Sequence, residues 1–502
     1  MRNARNVWQR INRLCGNNFQ IISKSDFKCK HASKFKSLCF RLQTLDNILV
    51  LCYNRVLEGG MLMNPKHTLR KRDIYLNKLI AFKDTEPVKV VTGIRRCGKS
   101  SLLKLMIEHL KENGISVTNI IEMNFESHDF KDMTADELYH HVKDRAIEGE
   151  RMYLFFDEVQ RIDKWEDTIN AFRVDLNCDI YITGSNAYLL SSEYSTYLSG
   201  RCIEIKMLPL SFSEFVDFHG FEIKETISAL GGTRKVAVDQ SGEKYDISEV
   251  FDAYVRFGGM PGIADIGLDQ EKALVLLDGI YSSVVVRDVL EREKKRGRKQ
   301  ITDPILLRKI ILFLADNVGS NVSFSSIGNT LVNEGLIEET GRKGAPSTHT
   351  VQSYVGALLE SYFFYDIKRF DIKGKEYLRT LGKYYIVDIG LRNYLLGFRN
   401  RDTGHTLENI VYFELLRRGY DVAIGKVDNT EVDFIAFKAD AKLYVQVTES
   451  MKSEDVRARE LRPLQTIKDN YEKIVLTLDT GLNTSYDGIK SLNLVEWLFN
   501  DK

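Results

Sequence analysis

The chain has 502 residues, 43% hydrophobic and 28% charged, a length that predicts two to four domains with their own cores. No run approaches the 18 or more apolar residues of a spanning helix, so the sequence excludes that class of membrane protein. The formal net charge of +1 conceals an asymmetry: residues 1 to 60 carry 11 Lys+Arg against 3 Asp+Glu. The remainder is mildly acidic and lacks, in aggregate, the basic face of a duplex binder.

Residues 1–62 form a basic N-terminal extension unlike the rest. They hold Cys15, Cys29, Cys39 and Cys52 without metal-ligand spacing, show little periodicity, and precede Met61 and Met63. Two readings compete. One is a basic, acid-poor targeting segment. The preferred one is translated upstream sequence that is not native, because codons for Glu58-Gly59-Gly60 can spell a ribosome-binding signal just before Met63.

Val88 to Thr92 is short, β-branched and apolar, and predicts a buried strand. It runs into Gly93-Ile94-Arg95-Arg96-Cys97-Gly98-Lys99-Ser100, a complete G-x-x-x-x-G-K-[ST] pattern. Leu102, Leu103, Met106, Ile107 and Leu110 then recur at helical spacing. A strand, a glycine loop and a helix start in that order aim backbone N–H groups and a helix dipole at one point, as a triphosphate requires. Residues 93 to 101, through Ser101, are therefore the expected nucleotide cradle. Lys99 would reach the β and γ phosphates and Ser100 would hold Mg2+. Cys97 lies inside the loop, so thiol modification there is expected to block nucleotide binding. With Cys178 and Cys202 in the same predicted core, disulfides are not expected, and a reducing cytoplasm fits.

Met152 to Phe156 is a second apolar strand, ending in Asp157 and Glu158. Asp157 is expected to support Mg2+ and Glu158 to orient or deprotonate a water. Ile180 to Thr183 forms a third strand ending in Gly184-Ser185-Asn186. In a parallel sheet those ends lie side by side, so Ser185 and Asn186 are expected near the γ phosphate. Arg201, in Leu198-Ser199-Gly200-Arg201, is a candidate for stabilising transition-state charge, in cis or toward a neighbouring subunit.

Past Phe215, the polar stretch from Gly231 to Lys244 reads as an inserted loop. Helical pattern resumes at Ile247, stops at Gly258-Gly259, and returns from about Gln270 to Arg292. The basic run Arg292 to Lys299 has two readings, a phosphate contact and a solvated linker, of which the linker is preferred. Between Asp303 and Lys383 the pattern suggests a winged helix: Leu306, Leu307, Ile310, Ile311 and Leu314 stripe one helix, Ser325 to Glu334 form another, and Ser347 opens a third. Two strands follow, near Tyr362–Phe370 and Glu376–Tyr385. The third helix would present Thr348, His349, Thr350, Gln352 and Ser353 to a groove, without a Lys or Arg. Arg342, Lys343, Lys368, Arg369, Lys373 and Lys375 supply modest positive charge, so DNA contact and a protein-binding role both stay open.

The last segment resembles the PD-(D/E)xK nuclease core, with Glu408 on a helix and Asp433 on a strand. Gln446 stands where the second acid belongs and Thr448 where the lysine belongs. Glu449 points to the other face of its strand and cannot substitute. The module therefore reads as degenerate, and nuclease activity is not expected.

The runs Thr92 to Ser100, Phe155 to Gln160, Thr183 to Asn186, Leu198 to Ile205, Leu208 to Phe215, Gly258 to Gly262 and Lys383 to Arg392 together resemble a branch of prokaryotic AAA+ ATPases. That resemblance implies an α/β fold with a P-loop AAA+ parallel sheet at 63–215, a helical lid and linker at 216–300, a winged helix at 301–385, and a small nuclease-like α/β domain at 386–502. It also implies a sensor role for Asn186, a finger or sensor role for Arg201, and a switch at Asn124 that restrains the catalytic glutamate. The expected function is Mg2+-dependent ATP hydrolysis driving the C-terminal module against a partner: DNA, another protein or a second copy of the chain. The alternative is an ATP-gated DNA-processing enzyme.

Overall fold

The computed structural model describes residues 69–499 apart from 186, 188–199, 228–232, 292–300, 302, 334–345, 400–402, 440 and 481–483. Asn186, the basic run 292–299, Arg342 and Lys343 therefore lie outside the described residues.

Val88–Thr92 (β1) is buried at all five positions, as a central strand covered on both faces must be. Its one charged residue, Lys89, is fully buried and reaches Asp179 at 2.5 Å. The strands Ile120–Asn124 (β2), Met152–Asp157 (β3), Cys178–Gly184 (β4) and Cys202–Lys206 (β5) join it in the order β2-β3-β4-β1-β5, every pair parallel. Their C-terminal ends consequently share one edge. Alternate residues feed opposite cores: Val91, Tyr153, Phe155 and Tyr181 face one side, and Val90, Leu154, Phe156 and Ile182 the other. Asp73–Ala81 (α1) and Lys99–Glu112 (α2) contribute to the first core, while Ala135–Lys143 (α3) and Trp165–Asp175 (α4) contribute to the second.

Phe212–Phe218 (α5) starts with a capping box, Ser211 and Glu214 each accepting the other's backbone N–H. The stretch from Gly231 to Lys244, read as an inserted loop, instead holds the central strand of a three-stranded antiparallel sheet, Glu222–Ile227 (β6), Thr233–Val238 (β7) and Lys244–Asp246 (β8). Among the described side chains of these strands only Ala237 and Val238 are buried, which is why the apolar alternation that announces a strand is so weak. Ile247–Phe257 (α6), Gly262–Ile266 (α7) and Gln270–Ser283 (α8) follow. The last continues as a π-helical stretch, Val284–Glu291, so the expected helix is present but underwound at its end.

Pro304–Asp316 (α9), Phe324–Asn333 (α10) and Thr348–Glu360 (α11) lead into Phe364–Asp371 (β9) and Glu376–Ile386 (β10), the order read from the sequence. The hairpin does not stand apart. β9 pairs in parallel with Asp421–Val427 (β11), and one eight-stranded sheet runs β10-β9-β11-β12-β13-β14-β16-β15. The further strands are Thr430–Lys438 (β12), Ala441–Val447 (β13), Glu472–Thr477 (β14), Thr484–Tyr486 (β15) and Ile489–Asn493 (β16). Ile389–Leu396 (α12), Thr403–Arg417 (α13), Glu454–Thr466 (α14) and Leu494–Phe499 (α15) complete the C-terminal half. Every residue from Thr406 to Leu415 in α13 is buried, and one continuous apolar cluster extends from Tyr75 to Leu498. The two halves thus share a core. No helix among the described residues is long and apolar enough to cross a membrane.

Candidate nucleotide site

The loop between β1 and α2 is shaped by its glycines. Gly93 has φ 146°, and a Cβ there would lie 2.2 Å from the Met207 carbonyl oxygen, so no other residue fits. Gly98 caps α2 with φ 105°. Between them Arg96 takes the left-handed conformation at φ 65°, a strained choice that holds the loop curled. Ser100 and Ser101 are exposed in the first turn of α2. The Lys99 ammonium donates to the Gly93 and Ile94 carbonyls at 3.0 and 3.2 Å and lies 4.0 Å from a Glu158 carboxylate oxygen.

Gly98, Lys99, Ser100, Ser101 and Glu158 line a cavity of about 390 Å³, bordered also by Arg95, Arg96, Glu126, Pro261 and Ser283. That size falls within the range of small-ligand pockets. Two residues of the expected cradle face away from it: Ile94 and Cys97 are fully buried in the core. Burial pushes the Cys97 thiol pKa up. The expected sensitivity of the site to thiol modification is corrected accordingly, because the sulfur is neither accessible nor readily ionised.

Asp157 and Glu158 arrive at the same edge from β3. The Thr183 hydroxyl of β4 accepts the Glu158 N–H at 2.9 Å and donates to one Asp157 oxygen, while the Asn124 amide of β2 donates to the other at 3.0 Å. Three neighbouring parallel strands therefore fix the Asp157 carboxylate. The structure places Asn124 on Asp157, and the second end of its amide accepts the Glu126 N–H at 2.8 Å. The side chain that does meet Glu158 is Gln160, whose amide donates at 2.6 Å. Ser185 lies 3.4 Å from both Glu158 and Asp288.

Arg201 is not brought to this edge. It precedes β5, whose first residue Cys202 pairs with Val88 at the start of β1, and its backbone carbonyl accepts the Val88 N–H. The phosphate loop follows the far end of the same strands, a strand's length of roughly 13 Å away. A role in cis is thereby removed, because a parallel strand's beginning faces the opposite edge from its end.

Sequence reasoning missed Thr183 as a bridge, Glu126, Pro261 and Ser283 as walls, and Asp288 as the partner of Arg95. Thr183 and Pro261 had a signal, since both fall in motifs already singled out. Asp288 had none.

A second polar cluster lies in the C-terminal half. Glu408 and Asp433 are both buried, and the Lys383 ammonium from β10 reaches Glu431 at 2.6 Å. Burial, then the neighbouring Glu408, drives the Asp433 carboxyl well above its usual range. Gln446 accepts the Asp433 N–H at 3.3 Å and donates to Glu460 at 3.0 Å. Among the described residues, no three His, Cys, Asp or Glu side chains are placed to hold a metal ion.

With this geometry in hand, the similarities to known proteins are informative. Residues 85–216 match an AAA domain, and residues 248–402 match a domain of unknown function, DUF8612. The chain is 39% identical over 429 residues to an uncharacterized protein of Haemophilus influenzae, covering 85% of this chain and 98% of that one. It is 30% identical over 444 residues to an uncharacterized protein of Methanocaldococcus jannaschii, covering 86% and 90% of the two chains. Among solved structures it is similar to a Walker-type ATPase of Pyrococcus abyssi, at 16% identity and a TM-score of 0.42, covering 65% of this chain and 95% of that one.

Proposed function

We propose that the chain, which belongs to the same family as the uncharacterized Haemophilus influenzae protein and carries an AAA domain over residues 85–216, hydrolyses ATP and uses the cycle to reposition its C-terminal half against a partner. The observation that carries this reading is the convergence of Lys99, Ser100 and Glu158 on one cavity, with Asp157 at the same sheet edge.

Each group has a role that its surroundings suit. The loop amides and Lys99 would bind the β and γ phosphates. The Ser100 hydroxyl and Asp157 carboxylate are hard oxygen donors of the kind Mg2+ takes, so the set fits that ion. When bound, Mg2+ would neutralise charge building on the phosphates. Glu158 would orient the attacking water and accept its proton. Ser185 would contact the γ phosphate from β4, and Asn186 is proposed beside it.

The helices α9 to α11 and the β9–β10 hairpin suit a winged-helix module, and the remaining strands a degenerate nuclease-like one. A protein partner or a second copy of the chain is favoured over DNA. Lys373 is engaged by Asp428 at 2.6 Å and Arg369 by Glu431 at 3.2 Å, so part of the expected positive wing is already neutralised. ATP-gated cleavage of DNA keeps one observation in its favour: the Lys383 ammonium, from another strand, interacts with the Glu408 and Asp433 carboxylates and would supply the charge missing at Thr448. Against it, both ends of the Gln446 amide serve internal bonds.

The test pairs two variants. Lys99→Ala is expected to abolish ATP binding, whereas Glu158→Gln retains binding and stops turnover. Normal turnover by the second variant would sink the reading. Cutting of DNA that needs Mg2+ and disappears in Asp433→Ala would establish the alternative.

A further inference from the structure

Glu158 sits in left-handed backbone, φ 55° and ψ 45°, at the start of the tight turn Val159–Arg161. That turn folds the side chain two residues on back toward the strand end. The result is the 2.6 Å bond from the Gln160 amide to Glu158 Oε2, to which the Ser185 hydroxyl lies at 3.4 Å. The other carboxylate oxygen, Oε1, is 4.0 Å from the Lys99 ammonium. Both oxygens of the expected base are thus engaged by the protein itself.

Asn124 does not supply this restraint: its amide donates to Asp157 and accepts from the Glu126 N–H. Gln160 is differently placed. Its Oε1 is buried and takes no hydrogen bond among the described residues, so the amide is held at one end only. Swinging the Gln160 amide away therefore breaks one charge-assisted bond to Glu158.

We propose that Gln160 is a positioning residue for Glu158, which clamps the carboxylate against the protein and limits how often it can orient a water. This rests on the ATPase reading and specifies how the same pocket is restrained. A partner or a neighbouring subunit that offers the Gln160 amide a better acceptor would speed turnover by drawing the clamp away.

The experiment measures steady-state ATPase kinetics, fluorescent ATP-analogue affinity and thermal melting for the full chain and for Gln160→Ala, Gln160→Met and the double variant Gln160→Ala with Glu158→Gln. Methionine keeps roughly the length and volume of glutamine but has no N–H donor and adds no charge beside Glu158. The proposal expects kcat to rise about threefold or more in both single variants, with KM and affinity little changed and the double variant inactive. A rise in Gln160→Ala alone, with Gln160→Met at the wild-type rate, assigns the residue to packing and overturns the proposal. So does an unchanged or lower kcat in both while the wild type turns over. If Gln160→Ala fails to fold, Gln160→Met decides the matter. A wild type that binds ATP but never hydrolyses it removes the ATPase reading and the clamp together.

Discussion

Arg95 and Asp288 lie 193 residues apart and meet as a two-pronged ion pair, with guanidinium-to-carboxylate distances of 2.9 and 3.1 Å. One belongs to the loop between β1 and α2, the other to the π-helical stretch Val284–Glu291 that continues α8. Burial weakens the Arg95 charge, but the hydrogen bonds and charge of Asp288 more than restore it, so its pKa stands above the usual arginine value. Neutralising Asp288 leaves the guanidinium half-satisfied. Asp288→Asn is expected to destabilise the protein by about 2 kcal/mol, to speed amide exchange across 284–291, and to strengthen ATP binding severalfold by removing a negative charge near the phosphates. Unchanged exchange in that stretch would show that the pair does not hold it against the loop.

A second long-range joint involves Arg417 of α13. Its guanidinium donates to the Pro209 carbonyl at 3.0 Å, the same oxygen that Arg72 reaches at 3.3 Å while also binding the Leu208 and Cys97 carbonyls. The phosphate loop and α13 are therefore tied to one short strap, Leu208-Pro209. Arg417→Ala strips Pro209 and Glu414 of a buried partner and is expected to cost about 3 kcal/mol in denaturant unfolding. Arg417→Lys keeps the charge but loses the fork, and is expected to cost about half as much. A loss below about 0.5 kcal/mol for the alanine variant would mean the strap is held without it.

Cys97 carries the opposite expectation from the one its position in the loop suggested. Its thiol is fully buried and its pKa is raised by that burial, so iodoacetamide should leave it unmodified in the native protein. Peptide mass spectrometry after native labelling, with ATP affinity measured alongside, checks this. Rapid labelling with loss of affinity would show the sulfur to be within reach of the pocket after all.

What the sequence revealed follows from how local each signal is. The nucleotide loop needs only a strand, two glycines and a helix start in succession, so residues 88 to 110 announce it. Asp157 and Glu158 were legible for the same reason. Arg201 misled because a motif beside a strand does not tell which end of that strand it occupies, and Arg201 precedes β5 where Ser185 follows β4. Strands β6 to β8 were hidden by their polar composition. Asp288, Gln160 and Lys383 act through contacts fixed by tertiary packing or by a tight turn, and no spacing rule reports them.

Asp388 provides a test in which pH is the variable. It is buried, caps α12 by accepting the Leu391 N–H at 3.0 Å, and accepts the Gly259 N–H at 2.6 Å, anchoring the Gly258-Gly259 turn next to Pro261 of the nucleotide pocket. The packing is close: a Cβ at Gly390 would lie 2.1 Å from the Phe257 carbonyl oxygen. Burial pushes the carboxyl up to about 6, against the pull of its backbone N–H bonds. A raised acid pKa means that the folded state holds the proton more firmly than the unfolded chain. The stability from this group is therefore complete below the unfolded value of about 4 and is lost as pH rises through 6. The loss amounts to on the order of 3 kcal/mol, from a shift of roughly two units. An asparagine side chain does not titrate, so the stability of Asp388→Asn relative to wild type should climb by about that amount between pH 4 and pH 7, whatever constant offset the amide introduces. Urea unfolding of both proteins across that range gives the difference directly, and a flat difference would show that burial does not raise the Asp388 pKa above its unfolded value.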